Sequence, residues 1–349
     1  MSKLTTTFPS ALRPIIISAP MLGVANGTLA AHVSLAGGIG FIPYGFDFTP
    51  SSPFLPTLKT ELTKAREILQ VPAPAPLPVG VGLILTHPSL FHFFDTLLPV
   101  LVEHNPVAVW LFAPDPEGEA GLIRRMVDAL HKQGMLVFFQ VGTVEKARQA
   151  VLDGADVVVA QGVDAGGHQF ARGAGVVSLV PEVVEMVGRE FAGTDVVVAA
   201  AGGIADGRGV AGVLGLGAEA AVLGTRFIVA DEASTPEFRK KLILEAQDGG
   251  QATAKSSFHD EIQSSKLWGQ FYDGRALVDI SYREHLEGLS MEENLDKFRQ
   301  AKLAGEVSRQ VTWAGTGVGL VKNAGPAREI VQQVREEAKE SIRRLQKFL

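Results

Sequence analysis

Cysteine is absent from this sequence of 349 residues. Without a thiol the chain can form neither a disulfide nor a thiolate metal site, and it has no cysteine nucleophile. Any redox chemistry must therefore come from a bound cofactor.

Long apolar runs are missing as well. Residues 1–14 lack the apolar stretch of a signal peptide, and no segment reaches the roughly 20 apolar residues that cross a bilayer. We therefore expect a cytoplasmic protein without a membrane partner.

An excess of positive charge is the third absence. Lysine and arginine number 32 against 38 aspartates and glutamates, which gives a formal net charge of −6 with the signs scattered along the chain. No basic stripe is available for nucleic acid or for an anionic membrane surface. The expected partners are small molecules, and self-association into a homo-oligomer stays open.

The residues that are abundant indicate a large core with many tight turns, since hydrophobic content is 46% and glycines number 38. Short, fully apolar runs alternate with helical stretches, which is typical of parallel strands joined by crossover helices. Eight such units favour a (β/α)8 TIM barrel over an open doubly wound sheet. The predicted strands are Ile15–Ser18, Ile39–Ile42, Val79–Leu83, Val107–Leu111, Leu136–Val141, Val157–Ala160, Val196–Ala200 and Ala220–Leu223.

The helical stretches and the domain organisation follow from the same pattern. We predict a barrel over residues 1–230, an additional mainly helical segment over 231–319 that covers the barrel mouth, and a C-terminal helix within 320–349 that packs back on the barrel. The predicted helices are Lys59–Leu69, Glu119–His131, Val144–Leu152, Pro181–Arg189, Gly207–Leu214 and Pro326–Lys347.

Glycine-rich loops follow the seventh and eighth predicted strands: Ala201-Gly-Gly-Ile-Ala-Asp-Gly207 and Gly224-Thr-Arg226. In barrels of this kind, phosphate commonly binds in the loops after these two strands. Gly202, Gly203 and Gly224 leave backbone N–H groups unshielded and permit turns that aim several of them at one anion. Tight turns alone would explain either loop, but the pair favours a phosphate site.

The loop after the sixth strand contains Gln161, Gly166, Gly167 and His168. Gln161 offers a donor or an acceptor to a planar heterocycle, and the two glycines permit the close approach of a ring system. His168 stands at the catalytic rim, where an imidazole can act as a general base near neutral pH. The alternative for His168 is a satisfied surface histidine, but its place after a Gly-Gly turn at a strand end favours catalysis.

Two further segments invite a functional interpretation. Ala19, Pro20 and Met21 directly follow the first predicted strand, where Met21 is in position to touch a bound ring, although methionine there more often only packs. The late cluster Gly315-Thr-Gly-Val-Gly319 superficially matches a dinucleotide loop. It follows no convincing strand, so we reject a Rossmann site.

Five segments occur in a recognisable order: Pro14-Ile-Ile-Ile-Ser-Ala-Pro-Met21, Gly37-Gly-Ile-Gly40, Ala160-Gln-Gly-Val-Asp-Ala-Gly-Gly-His168, Ala201-Gly-Gly-Ile-Ala-Asp-Gly207 and Leu223-Gly-Thr-Arg-Phe227. Together they resemble the nitronate monooxygenase family, formerly called 2-nitropropane dioxygenases, over most of the chain. The Gln-Gly-x-x-Ala-Gly-Gly-His element is the most specific of them.

The resemblance implies an FMN enzyme that oxidises alkyl nitronates with O2 to carbonyl compounds and nitrite. It implies that His168 is the catalytic base, which removes the α-proton when the substrate arrives as a neutral nitroalkane. The cofactor-binding residues that we predict from the resemblance and the loops are Ala19, Pro20, Met21, Gln161, Gly166, Gly167, Gly202, Gly203, Gly224 and Thr225.

This chain departs from the family pattern after the third strand. Many members have an asparagine there in a Gly-Val-Asn context, whereas this sequence has Gly80-Val-Gly82, so one polar contact to the flavin is missing. The segment from Phe258-His-Asp-Glu-Ile262 to Tyr272-Asp-Gly-Arg275 looks closer to fungal than to bacterial members.

Two other functions stay open at this point. A flavin-dependent enoyl-acyl-carrier-protein reductase has similar motifs, but it requires NAD(P)H and a path for an acyl chain. A phosphate-binding barrel without a redox role, such as a pseudoenzyme or a sugar-phosphate isomerase, would be colourless when purified.

Overall fold

A curled sheet of eight parallel strands forms the centre of the computed structural model, which describes residues 2–115, 118 and 121–348. The strands are β1 (Ile15–Ser18), β2 (Phe41–Gly45), β3 (Leu77–Ile84), β4 (Pro106–Phe112), β5 (Leu136–Val141), β6 (Val157–Gln161), β7 (Gly167–Phe170), β8 (Val197–Ala201), β9 (Ala220–Leu223), β10 (Thr253–Ser256) and β11 (Tyr272–Leu277). The order of strands in the eight-stranded sheet is β1-β9-β8-β6-β5-β4-β3-β2, and β7, β10 and β11 lie outside it. An isolated parallel bridge between Ile17 and Ile39 connects β1 to the residues just before β2, so the arrangement is TIM-barrel-like.

Both faces of the eight-stranded sheet are covered, which explains the unbroken apolar runs in the sequence. Successive side chains of a strand point to opposite faces. Ile16 therefore packs among the outer helices, whereas Ile15 and Ile17 face the interior of the curled sheet. Phe41 and Trp110 meet edge to face in this interior, with ring centroids 5.2 Å apart.

The predicted strands agree closely with the observed ones, with one exception. The first, fifth and eighth predicted strands coincide with β1, β5 and β9. The second prediction, Ile39–Ile42, is wrong in position because β2 begins at Phe41 and continues to Gly45. Ile39 makes only the isolated bridge to Ile17, since the chain there is still turning from the preceding helix into its strand.

Helices connect the strands and cover the outer face of the sheet. The α-helices are α1 (Lys3–Thr7), α2 (Gly27–Leu35), α3 (Phe54–Leu69), α4 (Leu97–His104), α5 (Leu122–Lys132), α6 (Val144–Leu152), α7 (Val176–Glu190), α8 (Gly207–Gly215), α9 (Thr225–Ile228), α10 (Glu237–Glu245), α11 (Gly249–Ala252), α12 (Phe258–Glu261), α13 (Ile280–Leu286), α14 (Met291–Leu303) and α15 (Ala327–Leu345). Short 3₁₀ helices occupy Pro88–Phe94, Thr316–Leu320 and Gln346–Phe348.

Two helix starts differ from the predicted ones. α3 begins at Phe54, before the predicted Lys59–Leu69. α7 begins at Val176 and contains Pro181 inside it. The Asp164 carboxylate accepts a hydrogen bond of 2.7 Å from the Val176 N–H, and this distant partner satisfies the exposed end of α7. The predicted start at Glu119 lies outside the described residues, and the described helix there is α5.

The segment after β9 contributes more than helices. It contains α9 to α14, but also β10 and β11; β11 pairs antiparallel with both β10 and β7, which gives the order β10-β11-β7. The prediction of a mainly helical segment overlooks these two strands.

How the chain divides into domains stays a prediction. None of the helices in the described part of the chain is long and apolar enough to cross a membrane, and the cytoplasmic location stays a prediction too.

The C-terminal helix α15 packs on α8 and α2. Its Arg335 is 3% exposed and lies against the chain before β1 and after α2. The guanidinium donates hydrogen bonds to the carbonyl oxygens of Ala36 at 2.8 Å, Gly37 at 2.7 Å and Pro14 at 3.3 Å. One buried cation thus satisfies three backbone carbonyls and ties the end of the chain to its beginning.

We expect Arg335→Ala to lower the free energy of unfolding by roughly 2–4 kcal/mol, because three buried carbonyls lose a charged donor. Urea-induced unfolding followed by circular dichroism measures this loss. Arg343→Ala on the same helix is the matched control, since Arg343 is exposed and its one ion pair among the described residues is with Glu340. Equal stability of the two variants would contradict the role of Arg335.

Candidate active site

A cavity of about 530 Å³ opens at the carboxyl ends of the parallel strands. Its volume is within the range of small-molecule and cofactor sites. All eleven residues predicted from the sequence line it: Ala19, Pro20, Met21, Gln161, Gly166, Gly167, His168, Gly202, Gly203, Gly224 and Thr225. The carboxyl ends of parallel strands meet at one edge of the sheet, so residues that follow different strands come together there. What each of these residues binds or catalyses stays a prediction.

One wall of the cavity consists of backbone packed on backbone. Gly202 and Gly203 have φ angles of +111° and +69°, a region that residues with side chains rarely adopt. A Cβ on Gly166 would lie 2.3 Å from the carbonyl carbon of Ala314, and one on Gly317 would lie 2.3 Å from the carbonyl oxygen of Gly203. Only glycine fits at these positions, so the loops after β6 and β8 approach the chain around residues 314–317 directly.

The late glycine cluster belongs to this wall. Thr316–Leu320 forms a 3₁₀ helix that follows no strand, and it is not a strand-to-helix turn. The Gly315 N–H donates to Thr225 Oγ1 at 3.0 Å, and the Thr316 N–H donates to the Asp164 carbonyl at 2.9 Å. The sequence interpretation missed this packing role, for which the density of glycines was the available signal.

Two glutamine amides present polar atoms at the ends of β5 and β6. Gln161 Nε2 donates to the His168 carbonyl at 3.3 Å, while its Oε1 is buried and has no partner among the described residues. Gln140 was not predicted, and it lines the cavity with its Oε1 accepting from Trp110 Nε1 at 3.0 Å. The bond from Trp110 orients the Gln140 amide so that its N–H groups remain available as donors.

At Gly82, where this chain departs from the family pattern, a larger side chain would collide with Pro20. A Cβ on Gly82 would lie 2.3 Å from Cβ and 2.6 Å from Cγ of Pro20. The Pro20 ring therefore occupies the space next to Gly82. Trp110 pairs with Gly82 in the sheet register, which places the Trp110–Gln140 pair beside the position that lacks the asparagine.

His168 lies on β7 and is held by residues far away in the sequence. Its Nε2 is 2.8 Å from Asp260 Oδ1 and 3.1 Å from Oδ2. The Trp268 ring stacks on the imidazole with a centroid distance of 3.7 Å and an angle of 12°, and Trp313 lies 4.6 Å away. Gly274 pairs with His168 across the sheet, and its missing side chain leaves room for Trp313.

The titratable groups near His168 are Lys255 and Asp273 on the three-stranded sheet and His259 on α12. Burial raises the pKa of Asp273, and the hydrogen bond from Lys255 opposes this effect. The Lys255 ammonium lies 2.6 Å from the Asp273 carboxylate. Burial lowers the pKa of His259, so this neighbour of Asp260 favours the neutral form. No lysine or arginine is among the described residues that line the cavity.

Comparison with known proteins gives a consistent result. Residues 94–337 match the family profile described as "Nitronate monooxygenase". The nitronate monooxygenase of Neurospora crassa is 57% identical, with 100% of this chain and 95% of the relative covered. The nitronate monooxygenase npaC of Metarhizium robertsii is 32% identical, with 96% of this chain and 94% of the relative covered.

Solved structures with this fold include two proteins of similar length. FabK from Thermotoga maritima superposes with a TM-score of 0.75 at 26% identity and covers 100% of this chain and 99% of its own. The nitroalkane oxidase from Streptomyces ansochromogenes superposes with a TM-score of 0.74 at 27% identity and covers 99% of this chain and 100% of its own.

We expect Gly166→Ala to destabilise the protein by roughly 1–3 kcal/mol, because its methyl group would collide with backbone that cannot move cheaply. Gly188→Ala is the matched control. Gly188 is exposed within α7, with nothing within 4 Å of an added Cβ, so this variant should gain about 0.5–1 kcal/mol from its better helix propensity. Urea unfolding measures both, and changes of the same sign would contradict the close packing at Gly166.

Proposed function

The chain belongs to the nitronate monooxygenase family, and we propose that it binds FMN in this cavity and oxidises alkyl nitronates with O2 to carbonyl compounds and nitrite. It is a flavin-dependent oxidoreductase, as the family is. The observation that carries the proposal is the meeting of all eleven predicted residues in one cavity of suitable volume. We infer that the ligands of this cavity are FMN, the nitronate and O2.

The glycine loops suit a single phosphate. Gly203, Gly224 and Thr225 follow β8 and β9, and they would hold the phosphate of FMN mainly through backbone N–H groups. The absence of a lysine or arginine among the described lining residues makes these N–H groups the main source of positive potential. No fingerprint for a second nucleotide is visible in the sequence, which favours FMN over FAD.

The two glutamine amides at the ends of β5 and β6 suit a planar heterocycle. An unpartnered buried acceptor costs about 1–3 kcal/mol, so Gln161 Oε1 marks a place where a ligand donor belongs. The ring system of a flavin has an N–H donor and carbonyl acceptors. Gln161 would accept from that donor, and the oriented amide of Gln140 would donate to a carbonyl. Met21 and Pro20 would contact a face of the ring.

When bound, FMN supplies the redox chemistry between the nitronate and oxygen. The protein binds and orients the two partners and limits the access of water. Trp268, Trp313 and Phe112 give the cavity aromatic walls, which suit an alkyl group. His168 would remove the α-proton when the substrate arrives as a neutral nitroalkane, since a nitronate no longer has that proton.

We expect purified protein to show a flavin spectrum, to release FMN on heating, and to consume O2 and form nitrite when ethyl nitronate is added. Chromatography of the released flavin and an oxygen electrode test this directly. NADH oxidation with an enoyl thioester, without O2 uptake on nitronate, would favour the enoyl-reductase alternative that the likeness to FabK suggests. A colourless protein that cannot be reconstituted with flavin would instead support the non-redox barrel.

A negative charge placed where we expect the phosphate of FMN tests the proposed orientation of FMN. A Cβ on Gly224 would meet only Met21 Sδ at 3.6 Å and Ala19 Cβ at 3.9 Å, which are ordinary contacts. Gly224→Asp adds a carboxylate there, so we expect FMN affinity to fall on the order of 10²-fold or more through repulsion between like charges. Gly203 is less suitable for this test, because its φ of +69° strains any side chain.

Gly224→Ala is the control for Gly224→Asp, since it adds the same Cβ without the charge. Fluorescence titration of the apoproteins with FMN gives both dissociation constants. Equal weakening in the two variants would indicate a steric effect and would mean that the phosphate binds elsewhere.

A further inference from the structure

The hydrogen bond between His168 and Asp260 is enclosed by the protein. The two side chains are 15% and 11% exposed, and Nε2 lies within hydrogen-bond distance of both carboxylate oxygens. Nδ1 of His168 makes no hydrogen bond with any described residue, although the side chain lines the cavity. The two ring nitrogens therefore have different surroundings.

We propose that Asp260 is a positioning residue that keeps the proton of neutral His168 on Nε2 and leaves Nδ1 as the basic nitrogen. A carboxylate only accepts hydrogen bonds, so the proton between the two groups belongs to Nε2. The lone pair of Nδ1 is then available to a substrate. This inference rests on the proposed function and adds the tautomer and the residue that selects it.

The surroundings of the ring preserve this orientation. Trp268 stacks on one face at 3.7 Å, and Trp313 lies against the imidazole at 4.6 Å. A ring flip would place Cε1 where Nε2 lies and Cδ2 where Nδ1 lies, so it would break the hydrogen bond to Asp260, and it has to displace these indoles. Asp260 and Trp268 come from the same connection between β10 and β11, so one segment supplies both the hydrogen bond and the stacking partner.

The proton transfer follows from this arrangement. The α C–H bond of a nitroalkane breaks, its proton goes to Nδ1, and its electron pair stays on the substrate as the nitronate anion. His168 becomes an imidazolium, which the Asp260 carboxylate stabilises. Other titratable or charged groups near the pair are His259 beside Asp260, which favours its neutral form, Asp273 and Arg275 on β11, and Lys255 on β10. The Lys255–Asp273 ion pair balances two of them.

Asp260→Asn tests the proposal through two substrates. We expect kcat for nitroethane to fall on the order of 10- to 100-fold, part of the contribution that a general base makes, while kcat/KM for ethyl nitronate changes little. Glu261→Gln is the matched control, because Glu261 is the adjacent exposed carboxylate and, among the described residues, its side chain bonds to Ser257 alone. His168→Asn gives the full loss of the base, and Asp260→Glu should recover part of the nitroethane activity. All variants are compared at measured flavin content.

The tautomer itself is measured on the wild type with ¹⁵N-histidine labelling. Long-range ¹H–¹⁵N correlation spectra show which nitrogen bears the proton, and loss of a signal in His168→Asn assigns it. We expect the Nε2–H form. An Nδ1–H form would overturn the proposal, even if Asp260→Asn does not fold. Three other results would overturn it as well. Asp260→Asn could lose activity equally on both substrates, or it could leave nitroethane oxidation unchanged. The wild type could also oxidise nitronates but no nitroalkane. A wild type inactive on nitronates would instead contradict the proposed function.

Discussion

Close packing of backbone on backbone is the constraint on which the cavity depends. The loops after β6 and β8 and the chain around residues 314–317 meet at Gly166 and Gly317, where a single methyl group would collide with the main chain of Ala314 or Gly203. This contact ties the long segment after β9 to the barrel. Trp313, next to Ala314, lines the cavity as well.

The small antiparallel sheet of β7, β10 and β11, with the connection between β10 and β11, surrounds His168 with side chains that the barrel strands do not supply. A barrel strand ends at the cavity with one or two side chains, which is enough to form a binding surface. β7 extends beyond β6 and pairs with β11, so His168 becomes part of a sheet and is not on a free loop. Asp260 and Trp268 reach it from the connection between β10 and β11. The ends of the barrel strands and their loops thus line the cavity, whereas the surroundings of the histidine come from the later segment.

Membership of the family and the geometry of the cavity support each other at different levels. The full-length similarity to the Neurospora relative identifies the class of enzyme. The cavity adds structural details: Pro20 packed beside Gly82, a Gln140 amide oriented by Trp110, and aromatic walls without a lysine or arginine among the described lining residues. The first two details lie at or beside Gly82.

The sequence by itself determined the parallel-strand architecture and the residues of the binding loops, because both are written in local patterns. Buried apolar runs indicate strands, and residues that directly follow parallel strands must meet at one edge of the sheet. The start of β2 and the start of α7 escaped prediction, since Ile39 and Val176 are held by bonds from distant residues. Only the tertiary structure decided the partner of His168. Asp260 is 92 residues away, and nothing in the local pattern shows that β11 returns to pair with β7.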